Sequence, residues 1–217
     1  IGTAIFLSII LSTLKQEEQT RAIQTHDVFE IANKTLPYLR SGLTEQSARS
    51  VAEIILKLMN VSAVAITNRT DILTHVGAAS DHHVAKKAII TDLSKDVIKT
   101  GQLKEAHSKE EVGCNNPNCT LTSAIVIPLM INQEVAGTLK FYFTNEYDNT
   151  TSTKQLARGL ADIFSSQLEL GQAEMQSKLL KDAEIKSLQA QVNPHFFFNA
   201  INTISALVRI DSEKARK

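Results

Sequence analysis

The groups best suited to chemistry lie in Asn193-Pro194-His195-Phe196-Phe197-Phe198-Asn199. An imidazole of ordinary pKa, about 6.5, is largely neutral at pH 7. A neutral imidazole is a nucleophile that can attack a γ-phosphate. Phosphoryl transfer asks mainly for in-line positioning and charge neutralisation. Asn199 could orient the imidazole or an attacking water. Pro194 has no N–H to donate and suits a first helical turn, with Asn193 as its N-cap. At about 100° per residue, His195, Asn199 and Asn202 share one face of that helix. Phe197, Ile201, Ile204 and Val208 fall opposite, which predicts the buried face of a helical hairpin with the imidazole turned outward. The residues alone leave a second account open, in which His195 only caps or packs against a helix.

Cys114 and Cys119 sit in a turn-rich loop, EEVGCNNPNCT. Zinc sites of the strong type carry two closely paired cysteines, a pattern missing here, so a metal site on Cys114 and Cys119 needs further ligands. His107 is near in sequence, and His75, His82 and His83 are possible neighbours in space. A redox-switchable disulfide is a second reading, and two inert thiols the leading one. His82-His83 reads as a solvated helix start, with contact to a ligand pocket as its alternative. Lys86-Lys87 reads as a solvent-facing pair.

The elements that must position these groups follow from periodicity. Residues 1–14, IGTAIFLSIILSTL, are uncharged but fewer than the roughly 20 that cross a bilayer. Because the chain starts at Ile1 and stops at Lys217 within a helical pattern, we expect a piece of a longer polypeptide, with residues 1–14 ending a transmembrane helix. Lys15 and Arg21 then predict a cytoplasmic continuation. Residues 15–40 read as a linker helix kinked or interrupted by Pro37. Thr44 caps a predicted helix from Glu45 to Met59.

Strands are predicted at 61–67, 72–77, 102–107, 121–130 and 134–143, the last two as a hairpin. Two short helical patterns fill 82–100. From Thr153 an apolar stripe runs through Leu156, Leu160, Ile163, Phe164 and Leu168, then Met175, Leu179, Ile185, Leu188 and Val192. It predicts a coiled-coil-like helix over 153–192 that forms a homodimer.

The fold class expected is α+β, with a central antiparallel sheet between helices. Residues 41–152 resemble a GAF domain more than a PAS domain. The first helix precedes the strands, and IVIPLMINQEVAGTLKFYF is similar to the GAF pattern of apolar strand, Pro-Leu, turn, Gly-x-Leu and apolar strand. Residues 188–204, LQAQVNPHFFFNAINTI, resemble the phosphoacceptor box of LytS-type sensor histidine kinases, with Phe197 where Leu is more common. The resemblance implies that His195 is autophosphorylated within a phosphoacceptor region beginning at 193–217. It also implies a GAF domain upstream, preceded by a multi-helix membrane sensor. Phe196 stands where many histidine kinases place an acid, so Asn199 is the candidate polar helper. ATP would be held by a domain beyond Lys217, and phosphate would pass to a response-regulator Asp. The whole protein would then be multi-pass in the cell inner membrane, with this portion cytoplasmic.

Composition narrows the field. The chain has 217 residues, with 23 Lys+Arg against 23 Asp+Glu, and zero net charge argues against a nucleic-acid partner. Apolar residues make up 43%, too many for a disordered chain. Trp is absent and aromatics are 5%, which disfavours an aromatic ligand cage. No Gly-x-Gly-x-x-Gly or Walker-type loop occurs, so this chain alone should not transfer phosphate from ATP. The alternative function is a ligand- or redox-sensing GAF dimerisation module in which His195 has no phosphotransfer role.

Overall fold

The computed structural model describes residues 28–89, 91–191 and 194–210. The expected membrane tail (1–14), the first part of the linker helix (15–27) and the Asn193 cap lie outside the described residues. Among the described residues, no helix is long and apolar enough to cross a membrane.

A first helix, α1, spans 28–39 and is followed by α2, Glu45–Leu58. Pro37 does not break α1. It stands in the last turn, where its missing N–H costs a single bond, while Ile31, Thr35 and Leu39 are buried one turn apart. The cap of α2 is as expected: Thr44 Oγ1 accepts from the Ser47 amide, and Ser47 Oγ accepts from the Thr44 amide.

Five antiparallel strands follow: β1 (Ala63–Asn68), β2 (Ile72–Gly77), β3 (Lys104–Ala106), β4 (Ser123–Ile131) and β5 (Glu134–Phe143). Their order in the sheet is β2-β1-β5-β4-β3. The β4–β5 hairpin turns on Asn132 and Gln133, with φ of 51° and 65°, the left-handed pair that a tight two-residue turn requires. Two short helices, α3 (Asp92–Thr100) and α4 (Lys109–Val112), pack beside the sheet. Each ends on a left-handed glycine, Gly101 and Gly113.

One predicted helix is absent. Residues 81–89 form turns, and Asp71 bridges to Ala88. Ile72 N–H donates to Lys87 O, and Lys86 N–H to Ile72 O. The segment runs along β2, an outer strand of the sheet, and covers its open edge.

The sheet alternates cleanly between two buried faces. On one, Val64, Ile66, Ile125, Ile127, Leu129, Leu139, Phe141 and Phe143 join Ile31, Leu39, Val51 and Ile55 in the main core. The long helix α5 (Thr151–Gln191) completes this layer with Ala157, Leu160, Ala161, Phe164 and Leu168. The packed unit is thus wider than 41–152, drawing on helices before and after that range. On the other face small residues dominate: Ala63, Ala65, Ala106 and Ala124, with Cys119, Leu121 and Tyr142.

The apolar stripe expected to pair with a second copy therefore divides. Its first part is core. Met175, Leu179, Leu180, Ile185 and Leu188 lie in the second compact unit, Ala173–Lys217, and are exposed. That unit also contains α6, Pro194–Ile210.

Two glycines in α5 make opposite predictions. A Cβ on Gly171 would stand 2.4 Å from Arg40 O, so α5 meets the end of α1 there backbone to backbone. A Cβ on Gly159 meets nothing within 4 Å. Alanine favours a helix by about 1 kcal/mol over glycine, whereas overpacking costs about 1–3 kcal/mol. Gly159→Ala should raise the urea midpoint and Gly171→Ala should lower it.

Candidate functional site

The small side chains of the second face leave room above the sheet. Two loops roof it: residues 78–89 after β2, and residues 113–122 before β4. Since β2 and β4 lie on opposite sides of β5, their loops meet above the Lys140 and Tyr142 side chains of the middle strand. Between them is a cavity of about 420 Å³, of the size that holds small ligands. Its lining includes His82, His83, Lys87, Thr91, Cys114, Asn116, Lys140 and Tyr142.

Local turns aim these groups. Ala79 takes a left-handed φ of 60°, and its carbonyl accepts from the amides of both His82 and His83. This tight turn brings two adjacent rings together, 4.6 Å apart between centroids. His83 also stacks on His75 at 4.9 Å and 17°. His75 Nε2 lies 2.8 Å from Ala78 O and donates to it. Burial pushes the His83 imidazolium down to about 4, helped by the nearby His75, His82 and Lys140. Burial likewise lowers His75. Neutral rings can stack closely where imidazolium ions would repel.

The cysteine loop closes on itself. Gly113 ends α4, Asn116 O accepts from the Cys119 amide, and Asn116 Oδ1 accepts from the Asn118 amide. Lys109 Nζ donates to Pro117 O at 2.6 Å. Cys119 returns to Cys114, and both thiols are free. Burial raises the Cys119 thiol above its usual range. Cys119 Sγ lies 3.6 Å from His83 Nε2. The ligating atoms of His82, His83, Cys114 and Cys119 all fall within 4.8 Å of one another.

His82-His83 is therefore a wall of the cavity, not a helix start. His107 is exposed and lies 3.8 Å from Glu105, away from the cluster. Lys86 is solvent-facing and 3.3 Å from Glu45, as its reading predicts. Lys87 is exposed too, although it edges the cavity.

Lys140 is the residue that sequence reasoning missed. It is 3% exposed, and burial lowers its ammonium to about 8. Its Nζ donates to Ser94 Oγ at 2.7 Å. Among the described residues, no carboxylate forms an ion pair with it. Its alternation with Leu139 and Phe141, in the apolar second half of a strand, was the available signal.

The other candidate region is α6. The helix begins at Pro194, so His195 occupies its first turn, as predicted. Asn199 and Asn202 follow on the same face by helical spacing, and both are exposed. Thr203 Oγ1 donates to Asn199 O at 2.8 Å. Phe197, Ile201, Ile204 and Val208 are also exposed, at 46–62%, so the expected hairpin contact does not form among the described residues.

Comparison with known proteins accounts for both regions. A family profile described as Histidine kinase matches residues 183–217. The whole chain is 97% identical to Sensor protein LytS of Staphylococcus haemolyticus, covering 37% of that protein. The chain belongs to the LytS-type sensor histidine kinases. It is also 67% identical, over its full length, to Sensor histidine kinase/phosphatase LytS of Staphylococcus aureus, again spanning 37% of the relative. The chain thus spans a little over a third of the length of these relatives. In fold, it resembles the GAF domain of a phosphoenolpyruvate-protein phosphotransferase from Coxiella burnetii. The TM-score is 0.54 at 12% identity, covering 70% of this chain and 98% of that one. The first unit is a GAF-type fold, as the strand pattern implied.

Lys140 supplies a stability test. Its pKa is lower folded than unfolded, so the unfolded chain binds more protons between about pH 8 and 10.5. Stability from this group therefore rises with pH across that window, and at pH 7 the buried charge is a net cost. Lys140→Met should stabilise by on the order of 2 kcal/mol at pH 7 and flatten the rise. Ser94 keeps a partner in Thr91 Oγ1 at 2.7 Å, so the change strands no hydroxyl. Urea midpoints at pH 7 and pH 10 for both proteins measure it.

Proposed function

We propose that this chain is the sensory and phosphoacceptor portion of a membrane-bound sensor histidine kinase in a two-component system. The observation that carries the proposal is PHFFFN at the start of α6, inside the stretch matched by the histidine-kinase profile. His195 attacks the γ-phosphorus of ATP held by a domain outside this chain. The γ-phosphoryl bond to ADP breaks as the bond to nitrogen forms. The phosphoryl group then passes to an Asp of a response regulator. Asn199, one turn along the helix, orients the imidazole, and Phe196 leaves no carboxylate beside it.

The GAF-type unit acts as the sensor. Its cavity offers two imidazoles, two thiols and a buried ammonium to a small ligand. Helix α5 carries the response, since its first half is core of the sensor and its later half exposes Met175, Leu179, Ile185 and Leu188. Those side chains suit pairing with a second copy over 175–188, the part of the stripe that the core leaves exposed. Upstream membrane helices would anchor the protein and leave this portion cytoplasmic.

The full-length protein, incubated with γ-labelled ATP, should take up acid-labile label. His195→Gln should abolish it. Asn199→Ala should slow it by about tenfold or more while leaving ATP affinity unchanged. Full labelling of His195→Gln would refute the acceptor assignment.

A further inference from the structure

We propose that His82, His83, Cys114 and Cys119 form a four-ligand site for a thiolate-preferring divalent metal ion, with zinc as its natural probe. The inference concerns the sensor cavity and is independent of His195.

The donor set comes first. Two imidazoles and two thiolates suit zinc, and do not suit magnesium or calcium, which take oxygen ligands. Geometry is next. In a tetrahedral site, bonds of about 2.3 Å to sulfur and about 2.0–2.1 Å to nitrogen put those atoms about 3.6 Å apart. Cys119 Sγ and His83 Nε2 are 3.6 Å apart. All four donor atoms lie within 4.8 Å, so small side-chain rotations close the widest pair.

His82 adds an independent sign. Both of its ring nitrogens are buried. Nδ1 lies 2.9 Å from Asp81 Oδ1, and Nε2 has no hydrogen-bond partner among the described residues. A slight turn of the ring would let Nδ1–H donate to Asp81, leaving the Nε2 lone pair for the metal. Carboxylate–histidine–metal chains of this kind fix the tautomer of a ligating imidazole. Without a metal, the buried Nε2 has no partner among the described residues.

Charge and backbone agree. Binding expels one proton from each thiol to solvent. Two thiolates cancel the charge of the cation, so the site adds no net charge beside the buried Lys140 ammonium. The ligands come from two turns that are tightly held before any ion arrives: Ala79 accepts from both histidine amides, and Asn116 from the Cys119 amide. Four residues separate the cysteines, the upper end of the usual two-to-four spacing, and the returning turn brings both thiols to one point.

The test uses the full 217-residue chain, reduced and metal-free. Titration with zinc against a chromophoric chelator should show one ion per chain. Titration with cobalt should give the visible bands of a tetrahedral ion and thiolate-to-cobalt charge transfer in the near ultraviolet. Cys114→Ser, Cys119→Ser and His82→Gln should each weaken zinc binding by about tenfold or more, with far-ultraviolet dichroism confirming the fold. Bound zinc should also block air oxidation of the two thiols to a disulfide. No stoichiometric zinc binding by the folded wild-type chain would overturn the proposal. So would binding that survives both serine variants, octahedral cobalt spectra, or disulfide formation, a mass loss of two hydrogens, that zinc does not slow.

Discussion

The alternation of strand β5 governs the molecule. Leu139, Phe141 and Phe143 point to the helical layer, where α1, α2 and α5 bury them completely. Burying side chains of this size contributes about 1.5–3 kcal/mol each, which fixes the register of the middle strand. A slip of one residue would exchange Phe141 for Lys140 in that core. The same register therefore commits Lys140 and Tyr142 to the opposite face. There Ala63, Ala65 and Ala124 on neighbouring strands are too small to fill the space beneath the loops. The cavity follows from packing the other face well.

Helix α5 ties that packing to the rest of the chain. Gly171 lets it pass the carbonyl of Arg40 at a distance no side chain would permit. Its apolar positions up to Leu168 are spent within the GAF-type core, and those from Met175 onward remain exposed. One helix thus starts in the GAF-type core and extends into the unit that also contains α6.

Much of this was legible in the sequence. The strands at 72–77 and 134–143 match their predicted bounds, because alternating β-branched and aromatic residues ended at glycine and asparagine turns. Thr44 and Gly101 marked helix ends through their own chemistry. Pro194 opens α6 for the same reason. The misreadings share a cause, which is that tertiary pairing outweighed local pattern. Residues 82–89 have helical spacing, but their backbone groups pair along the edge of β2. The 153–192 stripe has one period and two fates, since periodicity does not say what an apolar face will meet. Pro37 does not interrupt α1, because the cost of a proline depends on its distance from the helix end. The His82-His83 and Cys114-Cys119 pairs were each visible, but their meeting was not. It depends on β2 and β4 flanking β5, and strand order is not written in either loop.

The loops above β5 bring two imidazoles and two thiols to one point. Crystals of the protein grown with equimolar zinc, measured on both sides of the zinc absorption edge, would locate the ion. We predict one strong anomalous peak in the cavity, at bonding distance from two imidazole nitrogens and two sulfurs, with Asp81 turned to the outer nitrogen of His82. A folded sheet with no peak between those loops, or with its sulfurs joined to each other, would contradict it.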